Sequence, residues 1–120
     1  MQRNGGAGRA LAAMGAVLAA LAIGLSAYAA HGVADAQTRG NLHTASLYAF
    51  AHGAVLLLLV QAPARRLRWL ALAGLLLGTL LFAGSLAGGA LLGWPTRLAP
   101  LGGTVMMASW LLLAADALRR

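Results

Sequence analysis

The chain has no cysteine, no lysine and only two acidic residues among its 120 positions. The absence of cysteine excludes disulfide bonds and thiolate metal sites. The two acidic residues, Asp35 and Asp116, lie far apart in the sequence, so no carboxylate pair is available for acid–base chemistry. No Ser-His-acid or Cys-His arrangement is supported either. These absences argue against an enzyme, and we predict no catalytic residues.

Charged residues are scarce and apolar residues are abundant. Charged residues make up 9% of the chain, whereas soluble domains have about 25%. Apolar residues make up 61%, against about 45–50% in soluble domains. A soluble domain of this size leaves much of its surface exposed, so the expected solvent is lipid. Four apolar runs are each about as long as a bilayer requires. The sequence predicts one all-α domain, a four-transmembrane-helix bundle whose helices cover residues 10–30, 42–62, 69–93 and 100–118.

The first apolar run has a second interpretation. Arg3 and Arg9 precede it, and Ala27-Tyr28-Ala29 resembles the small-residue cleavage site of a signal peptide. The run is longer than the usual apolar segment of about 7–15 residues in signal peptides. We therefore expect it to remain in the protein as the first transmembrane helix.

The basic residues are nine arginines, and the formal net charge is +7. They lie at the ends of apolar runs and form no basic stripe with interleaved aromatic residues, so we expect no nucleic-acid binding. Seven lie in the two termini and the loop after the second helix, whereas the other two loops hold only Arg39 and Arg97. Because positive charge accumulates on the cytoplasmic side, both termini are predicted to be cytoplasmic.

A polar stripe marks the second helix. Thr44, Tyr48 and His52 recur at four-residue spacing, and His52 lies about halfway along the apolar run. We expect the stripe to point into the bundle, because lipid would leave its polar groups unsatisfied. His52 then has three possible roles: proton relay, cofactor ligand, or structural histidine bonded to a neighbouring helix. We favour the structural role; Tyr48 would bond to His52 or simply pack.

The other histidines do not complete a metal site with His52. His43 and His52 are nine residues apart on one helix, about 13.5 Å, which metal–nitrogen bonds of about 2 Å do not bridge. His31 is expected to bond backbone carbonyls or water at the outer rim of the bundle. We therefore expect neither a metal nor a cofactor.

Two local interactions are also predicted. Asn41 is the expected N-cap of the second helix, and Pro63 is expected to end that helix. Asp116 is expected to pair with Arg120, one turn later on the fourth helix.

Small residues are the most frequent packing signal. Ala12, Ala16 and Ala20 form a row with Gly8 and Gly24 at four-residue spacing on the first helix. Such rows let helix backbones approach closely in lipid, as do GxxxG pairs. The glycines predicted to pack helices are Gly24, Gly74, Gly78, Gly84, Gly88, Gly102 and Gly103.

Four short motifs carry a family resemblance. In chain order they are Ala30-His31-Gly32-Val33, then Thr44-Ala45 with Tyr48 and His52, then Phe82-Ala83-Gly84-Ser85-Leu86, and finally Pro100-Leu101-Gly102-Gly103 with Trp110. Taken together, the chain resembles the family known as domain of unknown function 423, which comprises uncharacterised YgdD-like proteins of the bacterial inner membrane. One departure is Ala49, where the family tends to have glutamine. The resemblance implies a small four-helix protein of the bacterial inner (plasma) membrane and supplies no activity.

Three functions therefore remain open. The favoured one is an accessory, interaction or structural membrane protein whose partners are the lipid bilayer and a homo-oligomer or larger membrane complex. The first alternative is a small oligomeric transporter, channel or proton path, and the second is an enzyme or redox module with a bound cofactor. The candidate polar cluster for any such role comprises His31, Thr44, Tyr48, His52 and Ser85.

Overall fold

The computed structural model describes residues 5–60 and 66–119. These residues form four helices, each long and apolar enough to cross a membrane. The prediction of an all-α membrane protein with four transmembrane helices is confirmed. The helices are α1 (Gly5–Gly32), α2 (Ala36–Leu59), α3 (Arg66–Leu92) and α4 (Leu98–Leu118).

Helix α2 begins earlier than predicted. Asp35 is its N-cap: the carboxylate accepts hydrogen bonds from the backbone amide of Thr38 at 2.8 Å and from the Thr38 hydroxyl at 2.7 Å. Asn41 lies inside the helix, where its side chain accepts a hydrogen bond from Gln37 at 3.1 Å. The prediction of Asn41 as N-cap is therefore wrong, because the earlier aspartate satisfies the first free amides. Helix α2 ends at Leu59, and Pro63 lies outside the described residues.

The helices form two closely packed pairs, α1 with α2 and α3 with α4, and α2 packs on α3 to join them. A glycine from each helix meets a glycine of its partner at both crossings. A Cβ atom added to Gly15 would collide with the carbonyl of Gly53, and one added to Gly102 would lie 2.7 Å from the carbonyl of Gly78. Backbone thus lies against backbone, the arrangement that small residues permit in lipid.

Two apolar clusters fill the space between the pairs. One consists of leucines from α1, α2 and α3: Leu11, Leu56, Leu72 and Leu75. The other consists of alanines from the same helices: Ala22, Ala45, Ala49 and Ala83. The leucine cluster lies towards the end of the bundle where α1 begins and α2 ends, and the alanine cluster lies farther along α1.

The small-residue row on α1 is half-buried at Gly8 and Ala12 and exposed over the rest of its length. Ala16, Ala20 and Gly24 are exposed, and α1 instead buries Gly15 and Ala22 against its neighbours. A Cβ atom on Gly24 would meet nothing within 4 Å. The exposed part of the row, Ala16 to Gly24, therefore does not mediate packing among the described residues.

Of the other glycines predicted to pack helices, some lie in close contact with neighbouring residues and some do not. An added Cβ on Gly74 or Gly78 would meet α4 side chains, and one on Gly88 would meet the ring of Trp94. A Cβ atom added to Gly103 would lie an ordinary 3.9 Å from the ring of Phe82, and one added to Gly84 would meet no other atom of the described residues within 4 Å. Gly84 is exposed, so the prediction that it packs helices is wrong for the described chain.

Candidate functional site

His52 is the most deeply placed ionisable group of α2, and it is only 6% exposed. Its Nδ1 lies 2.8 Å from the backbone carbonyl of Tyr48, and its Nε2 lies 3.1 Å from the indole nitrogen of Trp110 on α4. A carbonyl only accepts and an indole N–H only donates. The two partners therefore assign a neutral imidazole with its hydrogen on Nδ1, in which both ring nitrogens are engaged.

Aromatic rings surround this histidine. The ring of Tyr48 is stacked with His52, with centroids 5.9 Å apart and planes at 9°, and it meets Phe82 of α3 at 4.7 Å. Trp110 approaches His52 edge-on, at 5.8 Å and 67°. Tyr48, His52, Phe82 and Trp110, here called the aromatic cluster, thus connect three helices. The geometries are those that aromatic pairs prefer, so the cluster contributes to packing as well as to hydrogen bonding.

The predicted polar residues do not all meet. Tyr48 and His52 are in contact, but of the three stripe residues only His52 is buried: Tyr48 is 37% exposed and Thr44 is exposed. His31 is exposed as well. Ser85 is buried elsewhere, and its hydroxyl donates to the carbonyl of Pro95 at 3.5 Å. Each four-residue step turns a helix by about 40°, so Thr44 is rotated by about 80° from His52 and leaves the buried face. Within residues 5–60 and 66–119, no three His, Asp or Glu side chains gather as metal ligands.

A buried ion pair joins α3 and α4. The Nε of Arg68 lies 3.0 Å from Oδ2 of Asp116, and the two side chains are only 9% and 3% exposed. The second carboxylate oxygen, Oδ1, is also buried and has no hydrogen-bond partner in the described part of the chain. This pair corrects the predicted partner of Asp116: the carboxylate faces Arg68 of the adjacent helix, and Arg120 lies outside the described residues. The arginines around position 66 had indicated only membrane orientation, so the sequence gave no signal for this pair.

A comparison with known protein families identifies the family to which this chain belongs. The family described as "Protein of unknown function (DUF423)" matches residues 25–103, well over half of the chain. The chain belongs to the DUF423 family. No solved structure matches this DUF423 protein significantly. The family description supplies no activity.

The aromatic cluster of this DUF423 protein unites motifs that are far apart in the sequence. Tyr48 and His52 belong to the second motif, Phe82 begins the third, and Trp110 follows the fourth. Gly102 of the fourth motif supports the same region, because a Cβ there would collide with the backbone amide of Phe82. Three of the four motifs that carry the resemblance therefore build one local structure.

We expect Trp110→Phe to lower the free energy of unfolding by about 1 kcal/mol, because an aromatic ring remains, although a smaller one, while Nε2 of His52 loses its donor. Denaturant unfolding in detergent micelles measures the loss. In a His52→Leu background the same substitution should cost clearly less, since no acceptor remains. An equal loss in both backgrounds would contradict the hydrogen bond, as would nitrogen NMR shifts that place the hydrogen on Nε2.

The stability of the N-terminal end of α2 in this DUF423 protein should depend on pH, because the carboxylate of Asp35 caps it. Hydrogen bonds from the amide and hydroxyl of Thr38, with a smaller attraction from Arg39, hold the pKa of Asp35 below its ordinary value. A lowered carboxylate pKa stabilises the fold above the ordinary pKa, and this contribution is lost as the pH falls through the lowered value.

We therefore expect the amide of Thr38 to lose protection from hydrogen exchange at acid pH, after correction for the intrinsic exchange rate. Asp35→Asn is the matched control, because asparagine caps helices without titrating. The prediction fails if the protection of Thr38 follows the same pH profile in both proteins.

Proposed function

We propose that this DUF423 protein is an accessory or structural membrane protein that acts through other membrane components and not through chemistry of its own. The bonding of His52 is the observation that carries the proposal. An imidazole whose two nitrogens are held by Tyr48 and Trp110 offers no free lone pair to a metal or haem and no free nitrogen to a proton. This arrangement supports a histidine that fixes the relative positions of α2 and α4.

The outer face of α1 supports an interaction with further helices. Ala16, Ala20 and Gly24 are exposed there, and small residues let another backbone approach closely. The glycine crossings at Gly15 and Gly102 show that this chain uses the same kind of contact internally. We propose a second copy of the chain, within a homo-oligomer or a larger membrane complex, as the partner of α1.

The proposed location is the bacterial inner membrane, with both termini in the cytoplasm. The arginine distribution supports this orientation, since seven of nine arginines would then be cytoplasmic. In this orientation a cysteine at Gln37 would react with a membrane-impermeant maleimide added outside intact cells. A cysteine at Leu118 would react only after permeabilisation.

Single-cysteine cross-linking tests the association, and the cysteine-free chain is well suited to it. We expect Ala20→Cys to form cross-linked dimers in native membranes at high yield. Leu111→Cys is the matched control: it is also exposed, on α4, but its neighbours include bulky Met107, which keeps another backbone at a distance. Equal yields at Ala20 and Leu111, or no cross-link at Ala20, would overturn the proposed association.

The transport alternative has less support. Ser85 bonds to the α3–α4 connection, so the described contacts form no continuous path from His52 to Ser85. Proteoliposomes should therefore show the same proton flux with His52→Gln as with the unchanged protein and with empty vesicles. A flux that is present in the unchanged protein and lost in His52→Gln would favour transport over the accessory role.

A further inference from the structure

One side of α2 carries two hydroxyl groups that no described residue pairs. Thr44 and Tyr48 lie four residues apart on this side, and both side chains are exposed. Neither hydroxyl forms a hydrogen bond with another described residue. Thr104 of α4 is also exposed, but its hydroxyl donates to the carbonyl of Pro100, one turn earlier, at 2.9 Å. An unpaired hydroxyl is therefore a specific feature of this side of α2 and not a property of every exposed threonine.

Both hydroxyls lie inside the hydrocarbon core of the membrane. Helix α2 can span a membrane from Ala36 to Leu59, and Tyr48 is at the middle of that span, with twelve residues before it and eleven after it. Eleven residues extend about 17 Å along a helix, whereas half of the hydrocarbon core is only about 15 Å thick. Tyr48 and Thr44, about 6 Å apart along the axis, therefore stay within the core even if the bundle is shifted by a full helical turn.

Tyr48 cannot turn its hydroxyl to water or to its own backbone. Its ring is stacked on His52 and packs against Phe82 at 4.7 Å, so the aromatic cluster holds the ring in place. Acyl chains offer no hydrogen-bond acceptor, and a polar group left unpaired among them is unfavourable. The side chain is 37% exposed, so a molecule outside the chain reaches it. At this depth only another polypeptide supplies a hydrogen-bonding group, and we therefore expect a protein to cover this side of α2.

The geometry of the chain favours a different protein over a second copy as this partner. Helix α1 crosses α2 at Gly53, nine residues after Thr44, and nine steps of about 100° place these residues on opposite sides of α2. The side with Thr44 therefore stays free when α1 binds a second copy. If a further copy bound symmetrically at Thr44 as well, two parallel two-fold axes would generate an endless row of copies. Homo-oligomers are usually closed assemblies.

We propose that this side of α2 binds a transmembrane helix of a different protein that carries a hydrogen-bonding side chain near its middle. The α2 outer face comprises Gly40, Thr44, Tyr48 and Ala51, which are all exposed. A Cβ atom added to Gly40 would meet nothing within 4 Å, so Gly40 and Ala51 admit a helix backbone while Thr44 and Tyr48 hydrogen-bond to its polar side chain. This inference rests on the proposed accessory role and identifies the surface through which that role is carried out.

Energy transfer in vesicles of phosphatidylethanolamine and phosphatidylglycerol tests the α2 outer face. The probe is a fluorescent transmembrane peptide of leucine and alanine with one central asparagine, and the comparison peptide has leucine at that position. We expect the labelled protein to bind the asparagine peptide more tightly. Tyr48→Phe and Thr44→Val should each weaken that binding about threefold, the factor that corresponds to one interhelical hydrogen bond in a membrane. Gly40→Leu should weaken the binding of both peptides, because it blocks the approach of a backbone.

Two matched controls make the same substitutions on other exposed surfaces. Tyr28→Phe removes the hydroxyl of the other exposed tyrosine, and Thr104→Val removes a hydroxyl that already donates to its own helix. Neither control should change peptide binding. Equal binding of the two peptides, or equal effects of Tyr48→Phe and Tyr28→Phe, would overturn the proposal.

A photoreactive benzoylphenylalanine at Ala51 tests the same face in native membranes. We expect an adduct with a transmembrane helix of another protein, and the adduct should diminish in Tyr48→Phe. An adduct between two copies of the chain, or with lipid alone, would overturn the proposal. Cross-linking of Ala20→Cys reports the α1 contact separately. If it succeeds while the α2 outer face binds no helix, this inference fails and the proposed association through α1 stands.

Discussion

Replacement of Asp116 by alanine is expected to lower the free energy of unfolding by about 3–5 kcal/mol. The substitution leaves the Arg68 guanidinium buried without its counter-charge, and such a single truncation of a buried pair is strongly destabilising. The Arg68 and Asp116 side chains are only 9% and 3% exposed, so water cannot readily replace the lost partner. Denaturant unfolding in detergent micelles provides the measurement.

The double variant Arg68→Met/Asp116→Leu distinguishes the ion pair from simple loss of volume. Apolar replacements of similar size are often neutral or stabilising, because they remove the cost of desolvating both charges. We therefore expect the double variant to be far more stable than either single alanine variant. Arg97→Ala, at an exposed arginine, is the control for loss of charge and should have little effect. Additive losses at Arg68 and Asp116 would show that the pair does not act as a unit.

Gly102→Ala should destabilise the α3–α4 pair by about 2–3 kcal/mol, the upper part of the usual range for overpacking. The new methyl group would collide with the backbone amide of Phe82 and lie 2.7 Å from the carbonyl of Gly78. Both obstacles are backbone atoms, so rotamer changes do not relieve the collision and the helices must separate. The unfolding free energy in micelles measures the loss.

The adjacent glycine provides the matched control. At Gly103 an added Cβ would lie 3.9 Å from the ring of Phe82, an ordinary contact distance. Gly103→Ala should therefore be neutral or should stabilise α4 by up to about 1 kcal/mol, through the higher helix propensity of alanine. If both variants lost the same free energy, the close crossing at Gly102 would not be the cause.

The candidate site was only partly predictable. The helical spacing correctly paired Tyr48 with His52, because residues four apart lie on one helix face. It gave no indication that Trp110 would bond to His52, since 58 residues separate them. Gly15 and Gly53 were missed for a related reason: neither belongs to a GxxxG pair, and their importance arises only where two helices cross.

The sequence by itself determined the four spans and the family. A bilayer requires long apolar helices that satisfy their own backbone hydrogen bonds, so composition and run length were sufficient for the fold class. Only the tertiary structure decided which face of each helix turns inward, and with it the pairing of Asp116 with Arg68. In water a helix reveals its buried face by its apolar stripe, but in lipid both faces are apolar. Hydrophobic periodicity then carries little information about rotation, and packing between specific small and polar residues determines it.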